Sequence, residues 1–327
     1  LSGRKILGAR GVLSVIEYLE QLVEEQQWEK ALAYAERLMV SGDRTVRELV
    51  VINYSLLTAR LLLGEYYGAL LAGQLAVKLA RDIEDWEYFG KACVNLGVAC
   101  GRLRMRQEEI SSYYEYLAKL PLYRGASRHE AVVWYNLGVA LGSAGRSSEA
   151  AAALAKALQI ANRQGMDRHA HGIRQALVEA YLEMGDMTLI PGILAKCLHY
   201  IRNNPDEEDI RQSRHSHFHL RARFAVRTKR FARATSVAQK GLQEVHDNPR
   251  YQYDLCIVLA EASSLVGDTR EAMRHALTAR VCAMRCRRYD LEYEAADLMY
   301  KLTQSHPDVF RNLEPGDHRA DDPAVYD

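Results

Sequence analysis

The stretch Ala131–Ala161, AVVWYNLGVALGSAGRSSEAAAALAKALQIA, decides the fold of this chain. Trp134, Leu137, Gly138 and Leu141 recur at the three-to-four-residue spacing of one helix face. Gly145 breaks the pattern, and Ala150, Leu154 and Ala157 mark a second helix after it. Two helices joined by a tight turn, each with one apolar face, cannot bury those faces alone. Further copies must stack on them.

Working outward, seven copies follow at intervals of roughly 40 residues. A small residue near the start of the second helix marks most of them: Ala31, Ala69, Ala150, Ala234 and Ala272. A larger side chain there would overpack a close helix contact. The two degenerate copies hold Glu109 and Ile190 at that place. Gly64, Gly145, Gly185 and Gly267 stand at the turns, where a positive φ closes a helix. Gln26 and Lys229 replace glycine in two copies. The helix pairs are expected near 12–40, 48–82, 87–120, 128–163, 169–202, 209–246 and 250–284, with a last capping helix near 286–305. No strand pattern is read. The chain is thus expected to be all-α, a right-handed α-solenoid of seven helix pairs over 1–306. The residues 307–327 are acidic, poor in apolar side chains and expected to be a disordered tail.

The chain has 327 residues and a formal net charge of +1, so no global field points to nucleic acid or a membrane surface. No apolar run reaches a bilayer span. No signal peptide is read at the N-terminus. Because the sequence starts at Leu1, it is expected to be a piece of a longer or trimmed protein. Its six cysteines form no CxxC pair and fall at packing positions of the repeat, which fits a reducing, cytoplasmic compartment. No P-loop, strand-borne GxGxxG, HExxH or GxSxG occurs, so no enzyme, cofactor or metal is expected.

The order of large, small and turn residues in Ala131–Ala161 resembles the tetratricopeptide (TPR) repeat. That resemblance implies that the first helix of each pair lines a concave groove, with positions 2, 5, 6, 9 and 13 facing inward. Position 6 holds Asn95 in repeat three and Asn136 in repeat four, both within Asn-Leu-Gly-Val. A side-chain amide offers a donor and an acceptor together, so it can pair with the backbone of an extended peptide. Neighbouring helices lie about 8–10 Å apart, and an extended chain rises about 3.3 Å per residue. Two such amides would hold a peptide about three residues apart. The other reading is that both amides bridge helices within the solenoid. Tyr135, Val132 and Val139 share the groove face of repeat four, as Tyr54 does in repeat two, either as apolar pockets or as ordinary packing. Lys91 joins the candidate contacts.

Further along, the groove becomes charged. Repeat five supplies Gln175, Glu179 and Glu183, repeat six His219, Arg223 and Arg227, and repeat seven Asp254 and Glu261. Residues four apart share a helix face. Glu179 and Glu183 would meet Arg223 and Arg227, either as a ladder fixing the superhelix or as a clamp for a peptide carboxylate. The run Arg211–Arg233 holds seven Arg, one Lys and three His without an acid. Nucleic-acid binding would need its Phe218, Phe224 and Phe231 exposed, and pairing is expected to bury at least two. His215, His217 and His219 do not share a face and make a poor zinc site.

Repeats near 40 residues with Asn at the groove position, and the phrase Ala-Leu-Gln-Ile-Ala-Asn-Arg-Gln-Gly (157–165), resemble the bacterial peptide-sensing regulators of the RRNPP group, the Rap, NprR and PlcR proteins. This implies quorum-sensing signalling: a short secreted peptide lies in the groove, changes the superhelix, and alters DNA binding or a protein partner. The N-terminal DNA-binding or helical-bundle domain of that group is not read here. The expected partner is a short peptide or protein segment. A homodimer is allowed, without a membrane and without direct nucleic-acid contact unless an upstream domain is missing. The alternative is a TPR adaptor. The carboxylate clamp of chaperone-binding TPR domains is not matched, because Val132 and Asn136 replace its two basic residues.

Overall fold

A computed structural model describes residues 5–8, 11–122, 127–205, 210–244 and 248–307. The first repeat pairs helix α1 (Val15–Glu24) with α2 (Trp28–Val40). The second pairs α3 (Val46–Leu63) with α4 (Tyr66–Asp82), and the third α5 (Trp86–Arg102) with α6 (Arg106–Lys119), the latter running into a 3-10 turn at Leu120–Leu122. Repeats four and five are α7 (Ser127–Ser143) with α8 (Ser147–Arg163) and α9 (Asp167–Met184) with α10 (Ile190–Asn203). Repeats six and seven are α11 (Ile210–Arg227) with α12 (Phe231–Glu244) and α13 (Pro249–Leu265) with α14 (Thr269–Arg285). The last helix, α15, spans Tyr289–Ser305. The expected helix pairs are therefore present.

One expectation fails. A two-stranded antiparallel hairpin, β1 (Lys5–Gly8) and β2 (Gly11–Ser14), precedes α1 and pairs Lys5 with Ser14 and Gly8 with Gly11. The first helix accordingly starts at Val15 and not near residue 12. Ser14 and Glu17 form a capping box there: Glu17 N–H donates to Ser14 Oγ at 3.2 Å, and Ser14 N–H donates to Glu17 Oε2 at 2.6 Å. The expected tail, residues 308–327, lies outside the described residues.

The chain divides into two compact units, Leu1–Ala180 and Tyr181–Asp327. In the first, each helix packs on the next from α2 to α8, and the first helices also pack on one another, α1 on α3, α3 on α5 and α5 on α7. In the second, successive helices pack from α10 to α15, and α11 packs on α13. Within each unit the first helices thus form a row. The marker alanines sit at the closest approaches: Ala31, Ala69, Ala234 and Ala272 are wholly buried and Ala150 is 1 % exposed. At the degenerate places Ile190 is buried outright, and Glu109 is buried against Arg106, whose Nη1 lies 2.7 Å from its Oε2. Gly101 makes that room, since a Cβ there would stand 2.5 Å from Glu109 Oε1.

The turns explain how non-glycine copies close. Gly64, Gly145, Gly185 and Gly267 have positive φ, and so do Gln26 and Lys229, at +58° and +57°. Arg104 takes the same place in repeat three at +61°.

Candidate functional site

In the first unit the row of first helices carries most of the candidate contacts. Asn95 on α5 is half-buried and donates from Nδ2 to Thr58 Oγ1 of α3 at 3.0 Å. Thr58 in turn donates to the Tyr54 carbonyl at 2.9 Å. Asn136 on α7, also half-buried, hydrogen-bonds the buried Tyr113 phenol of α6. The two amides share a register position but bridge to different neighbours, one to a first helix and one to a second helix. Each bond engages one group of an amide that has two N–H donors and a carbonyl acceptor.

Lys91 lies one turn before Asn95 on α5. Its Nζ is 2.6 Å from Glu87 Oε1 and stands 5.0 Å over the Tyr88 ring. Tyr88 meets Tyr54 edge-on at 5.4 Å and donates its hydroxyl to Glu20. Burial and the Glu20 carboxylate push the Tyr88 phenol well above the usual range.

Between α7 and α9 a cavity of about 430 Å³ opens, walled by Val132 and Tyr135 on one side and by Arg168, His169 and Gly172 on the other. Burial raises the Tyr135 phenol, and the Glu179 carboxylate adds to that rise. A Cβ on Gly172 would meet nothing within 4 Å, so no side chain packs on the wall there. Gln175 is half-buried and Glu179 exposed, and both are engaged with neighbours. His169 and Gly172 were not singled out from sequence. Only their register with Val132 on the preceding first helix could have drawn attention to them.

The second unit brings together a different set. Arg223 of α11 pairs with Glu183 of α9. Burial raises the Glu261 carboxyl of α13, while Arg223 and Arg227 pull it back down. Arg227 itself is exposed. His215 stacks on Tyr251 at 4.1 Å and, more loosely, on His219 at 6.1 Å. Its Nε2 lies 3.7 Å from Asp254, which also pairs with Arg250 at 3.4 Å. Burial, with Arg250 beside it, depresses the His215 imidazole to about 4. Burial and Arg223 depress His219 to about 3. Both rings are therefore neutral near pH 7 and act as flat packing surfaces. His217 points elsewhere, as its spacing required, and among the described residues no group of three His, Cys, Asp or Glu is placed to hold a metal.

One expectation about this run needs correction. Of Phe218, Phe224 and Phe231, only Phe218 is buried, and the others are half-exposed. Five of the six cysteines are buried, and Cys286 is half-buried at the end of α14. No helix among the described residues is long and apolar enough to cross a membrane.

No protein-family model matches this chain. No curated protein matches it by sequence. Solved structures do match its fold. The apo form of the quorum sensor NprR from B. thuringiensis is 10 % identical, with a TM-score of 0.63 over 93 % of this chain and 82 % of that one. NprR in complex with its cognate peptide NprX is 12 % identical, with a TM-score of 0.62 over 91 % and 84 %. A tetratricopeptide repeat protein from Parabacteroides merdae is 14 % identical, with a TM-score of 0.57 over 89 % and 97 %. The chain has a TPR-like, all-α fold that resembles that of the RRNPP regulators.

Proposed function

We propose that the row of first helices in the unit Leu1–Ala180 binds a short extended peptide, and that the chain is the sensor module of a bacterial regulator. The observation that carries this reading is the open cavity between α7 and α9. It is lined by Tyr135 and Val132, and Asn136 follows Tyr135 on α7, so an apolar side chain could enter it while the amide reaches for the peptide backbone. The fold it shares with NprR, a protein solved with its cognate peptide, supports the reading. Asn95 and Lys91 would extend the contact along α5. Gln175 and Glu179 would extend it along α9. Binding, not catalysis, is the activity that this face suits.

The test uses Gly172. A Cβ at Gly172 meets nothing within 4 Å, so Gly172→Phe introduces a ring at the cavity wall with no clash at its first atom. With a fluorescent heptapeptide pool, followed by calorimetry on the tightest member, Gly172→Phe should abolish binding and leave the urea midpoint unchanged. Asn95→Ala and Asn136→Ala should each weaken binding roughly ten- to a hundred-fold, the loss of about 1–3 kcal/mol expected for an unpaired peptide group. Binding that survives Gly172→Phe would remove the cavity from the site.

A scaffold role is the second reading. Tyr67, Leu71 and Leu75 form a stripe on α4 at four-residue spacing, 74 %, 67 % and 39 % exposed, on a second helix and thus away from the first-helix face. A protein partner captured through that stripe, and lost with Leu71→Lys, would favour an adaptor.

A further inference from the structure

Eight residues before the turn residue, the seven first helices carry Tyr18, Leu56, Leu96, Leu137, Leu177, Arg221 and Leu259. Leu56, Leu137, Leu177 and Leu259 are buried at 5 %, 0 %, 3 % and 0 % exposure. In repeat six a guanidinium therefore stands where five other repeats use a leucine. A cavity of about 340 Å³ opens beside it, between α10, α11 and the start of α12.

The lining is of two kinds. Leu194, Leu198 and the half-exposed ring of Phe224 make an apolar floor, and the buried His217 closes one wall. Arg221, Arg230 and Arg233 also line it, and among the described residues no carboxylate does. Among the described residues no ion pair reaches any of these three arginines. Burial and the neighbouring Arg233 both lower the Arg221 guanidinium, so two like charges face each other in a partly dry place. The N-terminus of α12 opens at the same point, and the positive end of its dipole adds to the field. A half-buried, unpaired cation at a leucine position destabilises the apo protein. Such an arrangement makes physical sense when something anionic completes it.

We propose that this cavity binds a small organic phosphate monoester. Three cations without a counter-acid suit a head of about −1.5 to −2 charges, which a phosphate ester carries at neutral pH. A carboxylate would leave most of that charge uncompensated. Planar guanidinium forks give phosphate oxygens bidentate bonds. The apolar floor and Phe224 take an aromatic or aliphatic body, and the cavity size is at the small end of ligand pockets, roughly 300–1,000 Å³. This inference uses α10 to α12 and does not depend on the peptide reading.

The probe is phenyl phosphate, titrated by calorimetry into the full chain, with inorganic phosphate and benzoate as separate arms. Phenyl phosphate should bind one-to-one and at least tenfold tighter than either control. Arg233→Gln, at an exposed position, should weaken it at least tenfold without changing the melting temperature. Arg221→Leu should abolish binding while raising the melting temperature of the unliganded protein, and Arg221→Lys should restore part of the affinity. Absence of saturable binding, or equal binding by wild type and Arg221→Leu, would overturn the site. Benzoate binding as tightly as phenyl phosphate would overturn the phosphate head, and inorganic phosphate doing so would overturn the apolar body.

Discussion

Repeats four and six share one backbone plan and differ in what fills it. In repeat four, Gly145 turns the chain, Ala150 seats the second helix, Leu137 is buried, and Leu154 lies over Gly138. In repeat six the same places hold Lys229, Ala234, Arg221 and, in the place of Gly138, Ala222. The backbone tolerates this because the turn and the helix contact are set by φ and by small side chains. The interior charge is the part that changes. One repeat is thus built for packing, and the other gives up packing to place cations and imidazoles.

The comparison breaks hardest at Gly138. A Cβ there would stand 2.6 Å from Leu154 Cγ and 3.2 Å from the Ala150 carbonyl. Gly138→Ala should cost about 1–3 kcal/mol through overpacking, read as a lower urea midpoint. Ala150→Leu and Ala272→Leu should cost a similar amount for the same reason. Ala222→Gly in repeat six should cost only about 0.5–1 kcal/mol, the usual helix penalty of glycine. Equal losses at both places would show that the two repeats do not share a frame.

The histidines give the next effect. His215 and His219 fall to about 4 and about 3 in the folded chain, from an ordinary value near 6.5. The unfolded chain therefore binds more protons between those limits. Stability should be full above about pH 6.5 and decline as pH falls toward 4, by at most about 1.4 kcal/mol per unit for each ring. His219→Gln should flatten that slope in urea titrations at pH 7, 6 and 5. An unchanged slope would mean that the stacked rings titrate normally.

Arg221→Leu restores the leucine of the other repeats and should stabilise the unliganded chain by about 1 kcal/mol, as replacement of buried charge by apolar packing does. The smallest effect lies at the turn. Lys229 holds φ at +57°, which a residue with a Cβ resists, so Lys229→Gly should stabilise by roughly 0.5–1 kcal/mol. Gly145→Lys should cost about as much, measured by thermal melts.

The repeat frame was legible because helix spacing, marker alanines and turn glycines are local signals that each copy states again. The hairpin before α1 was not, since Lys5–Gly8 and Gly11–Ser14 are too short to show a period and occur once. The candidate face was half legible. Asn95 and Asn136 announce a shared register, but whether an amide points at Thr58, at Tyr113 or at solvent depends on which side chain the neighbouring helix presents. Arg223 and Glu183 were matched by their spacing on successive first helices. His169 and Gly172 became visible only when α7 and α9 were set side by side. Arg221 is the sharpest case. Its place in the repeat was written in the sequence, as a charge at a leucine position. That it stands beside a cavity, with Arg230 and Arg233 and an apolar floor, was decided by three helices packing around a charged side chain where the other repeats bury a leucine.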